Sequence, residues 1–282
     1  NIVTTSHLCA MFKKEKRKSW RSVQSPFIFN LARHLEAGSR YVDERVVEDE
    51  VESVKIFKDI ENLRADLKKS SDTIAVEDHG AGSRVFKGSS RKVSKIAKHV
   101  LQGERVAKSL WKVLRFWGMN LEEKGNRKLS VLEMGTSLGV TTAYLSAAGC
   151  DVETWEGCQN TADVARKNWI KLGLEKQIDS KVGKFEGLLK STKGGWDMVF
   201  LDGHHDGGAT LRYVEELKSK LGKGGCVLVD DVVWSKGMKM AWRELIDDPY
   251  WNITVRWRGK GWLFHLDGAV EQHIALSCVF KF

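Results

Sequence analysis

Two periodicities divide this chain. Before about residue 118, apolar positions recur every three or four residues; after about 129, short apolar runs alternate with amphipathic stretches. The first pattern predicts helices. Ser25-Pro26-Phe27 opens a helix over 25–40: serine is a good N-cap and proline suits the first helical position. Phe27, Leu31 and Leu35 share a face, and Gly38 ends the run. Residues 43–69 set Val46, Val47, Val51, Val54, Phe57, Ile60, Leu63 and Leu67 among dense charge. They read as one amphipathic helix with its stripe laid on another element. A further helical region spans about 91–118. Between these lies the loop 77–84, Glu-Asp-His-Gly-Ala-Gly-Ser-Arg. There His79 and Arg84 stand either in a lid or substrate contact, or in an ordinary loop.

The second pattern predicts strands at 129–134, 151–156, 178–182, 196–201 and 225–230. Helices fall at 138–148, 160–172, 184–190, 208–221 and 235–246. Alternation of this kind makes βαβ units and a parallel sheet covered on both faces. Residues 251–257, 261–265 and 274–280 are strand-like with short connections, so the sheet is expected to close with antiparallel strands. The expected division is an N-terminal helical extension and lid loop over 1–90, followed by an α/β domain over 91–282.

Composition changes this picture little. The chain of 282 residues has globular proportions of hydrophobic (42%) and charged (29%) residues. No apolar run approaches the length that spans a bilayer. Five cysteines, an odd number without CxxC spacing, argue against metal ribbons and disulfide frameworks and fit a reducing cytoplasm. The net charge of +9 leaves a nucleic-acid partner open. The basic run at 13–21 reads either as a phosphate-contacting arm or, more simply, as a solvated tail.

The chemistry gathers where strands end. Residues 129–139, Leu-Ser-Val-Leu-Glu-Met-Gly-Thr-Ser-Leu-Gly, are an apolar strand, an acidic residue and a glycine turn before a helix. Such a turn lets backbone approach a nucleotide-like ligand closely. Glu133 can accept from a ligand ammonium or ribose. The spacing E-x-G-x-x-x-G departs from the G-x-G-x-x-G of nicotinamide enzymes. Glu156 ends the second strand, twenty-one positions after Gly135, where a ribose diol is bound in such folds. Asp202 ends the fourth strand at the sheet's ligand-binding edge, followed by His204 and His205. Asp230 and Asp231 end the fifth. Three carboxylates on one edge would be satisfied by a hard cation such as Mg²⁺, or else by backbone amides and a helix cap. His205 is a candidate base near neutral pH. Trp234 is placed to wall a substrate pocket.

In order, these residues resemble a class I S-adenosylmethionine-dependent methyltransferase. Residues 131–139 look like the family's first motif, which wraps the methionine part of the cofactor. That implies contacts from Glu133, Gly135, Thr136, Ser137 and Gly139. Glu156, with Gly157, matches the ribose-binding acid. Residues 182–185 fall where the adenine loop lies, with Lys184 in place of the usual acidic residue and Phe185 after it. Residues 200–204 and 228–235 look like catechol-type O-methyltransferases, in which Asp202, Asp230 and Asp231 would hold a divalent cation. Asp231 stands where asparagine is usual, and His205 near the usual lysine base. The nearest likeness is to uncharacterised bacterial members that share the Ser-Pro-Phe helix start and the glycine-rich loop at 78–83. The resemblance implies a Rossmann-like seven-stranded sheet, mostly parallel with its last strand antiparallel, behind the N-terminal helices. It implies methyl transfer to a small-molecule acceptor, with Asp202 and His205 in the chemistry. RNA methylation, or cofactor binding without catalysis, are the alternatives. The N-terminal helices would cover the active site or form a homodimer contact.

Overall fold

The computed structural model describes residues 15–36, 41–77, 90–125 and 127–276. The expectations for His79, Arg84, Gly38, the basic residues before 15 and the end of the last strand fall outside them.

A short strand β1 (Lys16–Lys18) precedes helices α1 (Pro26–Glu36), α2 (Glu44–Glu52) and α3 (Val54–Lys69). A hairpin of β2 (Thr73–Ala75) and β3 (Ser90–Lys92) leads to α4 (Val93–His99) and α5 (Glu104–Gly125). Then come β4 (Ser130–Met134), α6 (Val140–Ala147), β5 (Asp151–Glu156), α7 (Gln159–Leu172), β6 (Ile178–Val182) and α8 (Phe185–Ser191). The chain continues through β7 (Trp196–Leu201), α9 (Gly207–Lys218), β8 (Leu221–Val229) and α10 (Lys236–Asp247). It closes with β9 (Ile253–Trp257), β10 (Lys260–Phe264) and β11 (Gln272–Leu276).

One Rossmann-like sheet carries nine strands in the order β1-β11-β9-β10-β8-β7-β4-β5-β6. β10 runs antiparallel to both of its neighbours, and the other described pairs in this sheet are parallel. Two expectations are corrected. The sheet has nine strands rather than the seven the resemblance implies, the strand-like run at 274–280 supplying β11 and the basic run supplying β1, and the antiparallel strand is β10 rather than the last. The basic run is also more than a tail. Residues 16–18 pair with β11, and Glu15 bonds Arg256 at 2.8 Å and accepts from the Trp242 indole at 3.1 Å. Trp20, only 7% exposed, packs its ring against Phe29 of α1. A charge-dense segment can serve as an edge strand because half its side chains face water.

Two expected helices each divide. The 43–69 stretch breaks at Ser53, between α2 and α3. The 91–118 stretch breaks at Gln102-Gly103, where glycine is a poor helix former.

Strand alternation sorts the core into two layers. Val131, Met198, Phe200 and Leu228 face a layer made with α1, α3, α5, α6 and α7. Leu132, Val199, Leu201 and Val227 face α8, α9 and α10. The N-terminal helices therefore share one core with the sheet. Among the described residues, no helix is long and apolar enough to cross a membrane.

Candidate active site

The turn after β4 is shaped by two glycines. Gly135 has φ +121°, and a Cβ there would lie 2.5 Å from the Asp202 carbonyl oxygen. The β4 and β7 ends touch only because that side chain is absent. Gly139, at φ +76°, packs against Trp169, whose indole N–H donates to the Gly139 carbonyl at 2.8 Å. Glu133 lies beneath the turn, fully buried. One oxygen accepts from the hydroxyls of Thr142 (2.5 Å) and Thr154 (2.7 Å), and the other has no partner. Burial pushes its carboxyl up to about 7, against the pull of the two hydroxyls. Thr136 is buried as well, its hydroxyl 2.7 Å from that of Thr154.

Beyond the turn opens a cavity of about 620 Å³. Gly135, Ser137, Glu156, Gly157, Lys184 and Phe185 line it, with Asp202, expected at both the cofactor and the chemistry; Glu133, Thr136 and Gly139 stand behind this lining. Glu156 is held by backbone: Ser137 N–H donates to it at 2.9 Å and Cys158 N–H at 3.1 Å. Val76, Glu77 and Arg91 border the same cavity.

On its other side the cavity meets Asp202, His204 and His205. His205 Nε2 lies 3.9 Å from Asp202 Oδ1, and its Nδ1 lies 4.0 Å from Asp231 Oδ2. His204 Nδ1 sits 2.8 Å from the Tyr213 hydroxyl, which donates to Glu186 at 2.6 Å. Ser137, His204, His205 and Asp231 all have left-handed backbone, at φ 50°, 71°, 26° and 52°. Each such residue costs about 1–3 kcal/mol, and clusters of them mark functional sites. Trp234 is 54% exposed after Asp231 and does not line this cavity.

The carboxylates beneath are already paired. Lys260 Nζ donates to Asp230 Oδ1, both side chains being nearly inaccessible. The Gln102 amide donates to Asp230 Oδ2 and, at 3.3 Å, to Asp202 Oδ2. Asp231 N–H adds a bond to Asp230 Oδ1 at 2.8 Å. Burial alone would raise Asp230, but the Lys260 ammonium outweighs it and holds the carboxyl below its usual range. Asp202 is pushed well up by burial and by the Asp230 charge. Asp231 is raised by burial and by the same charge.

The residues fit a nucleotide-like cofactor, because an anchored carboxylate and open backbone face a cavity of suitable size. They do not fit Mg²⁺ as expected for Asp202, Asp230 and Asp231. Both Asp230 oxygens and one Asp202 oxygen already accept from an ammonium and an amide. Among the described residues no group of three His, Cys, Asp or Glu side chains could hold a metal ion. Lys260 and Gln102 were invisible to motif reasoning. One signal existed: Arg258-Gly259 between strand-like runs is a two-residue hairpin turn, which places Lys260 at the start of β10 beside β8.

Residues 132–232 match the family described as "Methyltransferase domain". No curated protein matches the chain significantly. Solved structures are similar at low identity. A methyltransferase from Geobacter sulfurreducens is 14% identical with a TM-score of 0.50, over 62% of this chain and 85% of that one. The O-methyltransferase TomG from Streptomyces achromogenes, involved in tomaymycin synthesis and solved with SAM, is 18% identical with a TM-score of 0.49, over 60% and 82%. An O-methyltransferase from Bacillus cereus, solved with SAH, is 18% identical with a TM-score of 0.42, over 60% and 94%. The Geobacter structure agrees with the fold described above.

Proposed function

We infer that this chain is a class I S-adenosylmethionine-dependent methyltransferase, a reading supported by the match of residues 132–232 to a methyltransferase domain, and that it methylates a hydroxyl oxygen of a small molecule. The observation that carries the reading is a single cavity lined both by Glu156, with the Ser137 turn, and by the Asp202–His205 pair. In this reading Glu156 accepts from the ribose hydroxyls while two backbone amides fix its carboxylate. Ser137 and Gly135 let the methionine end lie against backbone. Lys184 and Phe185, at the start of α8, flank the adenine.

The cofactor's sulfonium supplies the methyl group, its sulfur keeping the electron pair of the broken C–S bond. The acceptor oxygen forms the new O–C bond and releases its proton to the His205 imidazole. Asp202 and Asp231, on either side of that ring, orient it. The rest of the rate enhancement comes from holding the oxygen in line with the methyl carbon. A cavity of about 620 Å³ accommodates the cofactor with a small acceptor rather than a polymer.

Calorimetry with S-adenosylhomocysteine tests the cofactor site: wild type should bind and Glu156→Ala should bind at least about tenfold more weakly. Formation of S-adenosylhomocysteine from S-adenosylmethionine with a panel of phenols and catechols tests the chemistry. His205→Ala should lower kcat while leaving S-adenosylhomocysteine affinity unchanged. Unchanged binding in Glu156→Ala, or unchanged kcat in His205→Ala, would refute the assignment.

A further inference from the structure

We propose that Lys260 is the resident cation of this active-site edge, and that the protein works without a divalent metal. The proposal rests on the methyltransferase reading and concerns what neutralises its acceptor side. It starts from how Lys260 arrives there. The β9–β10 hairpin turns on Arg258 and Gly259, with φ 47° and 79°, so both central residues are left-handed. The Gly259 carbonyl accepts from Val232 N–H at 2.8 Å, which ties the turn to the segment that carries Asp231. Arg258 is bonded to Glu36 of α1 at 3.0 Å. Lys260 is thus delivered by a turn secured at both ends, and its side chain is only 5% exposed.

Its ammonium meets Asp230 Oδ1, to which Asp231 N–H also donates. The second Asp230 oxygen and Asp202 Oδ2 share the Gln102 amide. Gln102 is itself fixed: Arg64 donates to its carbonyl at 2.5 Å, Arg64 pairs with Glu61 at 2.9 Å, and Glu61 accepts from Tyr144 at 2.9 Å. A chain of polar contacts therefore runs from α3 and α6 to the carboxylate edge.

A magnesium-like ion needs near-octahedral oxygen ligands at about 2.1 Å. At Asp230 it would compete with an ammonium already bonded to the same carboxylate, in a site closed to solvent, where like charges repel strongly. Expelling the lysine would leave a buried ammonium without its counterion, which is heavily penalised. Lys260 is a positioning residue: with Gln102 it holds Asp202 and Asp230 so that Asp202 stays beside His205.

The test uses the full chain, freed of metal with a chelator and titrated with Mn²⁺ while electron paramagnetic resonance reads the free ion. S-adenosylhomocysteine binding is measured on the same samples. Wild type should leave Mn²⁺ free throughout the sub-millimolar range. Lys260→Met, if it still binds S-adenosylhomocysteine, should acquire a Mn²⁺ site at least about tenfold tighter than any in wild type. Lys260→Arg should stay metal-free. Uptake of one Mn²⁺ per wild-type chain at sub-millimolar concentration overturns the proposal, whether or not the methionine variant folds. So does a folded Lys260→Met that takes up no Mn²⁺. Loss of S-adenosylhomocysteine binding by wild type would instead remove the methyltransferase reading, so the two failures are separable.

Discussion

The two halves of the sheet's carboxyl edge hold their acids by different means. After β4 and β5, Glu133 and Glu156 are held by groups close in sequence: the Thr142 and Thr154 hydroxyls on one Glu133 oxygen, and the amides of Ser137 and Cys158 on Glu156. After β7 and β8, Asp202 and Asp230 are satisfied by side chains from elsewhere: Gln102 from before α5 and Lys260 from the terminal hairpin. At the cavity the cofactor half presents a carboxylate, Glu156, that backbone amides hold, while neutral hydroxyls hold Glu133 beneath it, so the Glu156 anchor tolerates side-chain change. The acceptor half is built from side-chain charges, so it is specific, expensive to disturb and dependent on the whole fold.

The largest effect should come from breaking the charged pair. Lys260→Met leaves a buried carboxylate without its counterion and should lower unfolding free energy by about 3–5 kcal/mol in urea titration. Pairing it with Asp230→Asn removes both charges, and the double variant should be more stable than the single one. If the double variant is less stable, the pair is not what organises this edge.

Next is Glu133, neutralised by a proton rather than by an ammonium. Its native carboxyl titrates at about 7, against 4.5 unperturbed. Between these values the native state holds a proton that the unfolded chain has lost. This contribution is complete below about pH 4.5 and is lost as pH rises through 7, about 3 kcal/mol in all. Glu133→Gln should flatten the pH dependence of unfolding over that window relative to wild type. Parallel curves for the two proteins would show that Glu133 is ionised in the fold.

These two halves were not equally legible in the sequence. The runs 151–156, 178–182 and 196–201 coincide with β5, β6 and β7. β7 is a nearly continuous buried apolar run, as a central parallel strand should be. β5 alternates and the edge strand β6 is polar, so the βαβ rhythm places these two. The Glu133 turn and Glu156 were also readable, since their partners lie within about twenty positions and the geometry repeats locally. Lys260 and Gln102 were not. Gln102 lies 128 positions from Asp230, and only the packing of α4, α5 and the terminal hairpin brings them together. The split of the 43–69 helix at Ser53 was hidden too, because one apolar stripe passes through both pieces. Strand β1 was masked by its charge, which reads as solvated until β11 offers it an edge.

The glycine turn tests the backbone half directly. At Gly135 an added methyl would strike the Asp202 carbonyl and meet an unfavourable φ. Gly135→Ala should therefore cost roughly 1–3 kcal/mol and weaken S-adenosylhomocysteine binding, although no side-chain contact is removed. Normal stability and affinity would mean that the β4 and β7 ends can separate freely.

The smallest expected effect separates the halves most sharply. Ser137 sits at φ 50° in the turn and holds Glu156 through its backbone N–H, not its hydroxyl. Ser137→Gly keeps that N–H and relieves the left-handed strain, while adding chain entropy to the unfolded state. The opposing terms should leave stability within about 1 kcal/mol of wild type. Calorimetry should show S-adenosylhomocysteine affinity within about threefold. A much larger loss of affinity would put the serine hydroxyl itself on the cofactor. The cofactor half would then depend on side chains as the acceptor half does, and the contrast between backbone-built and charge-built halves would fail.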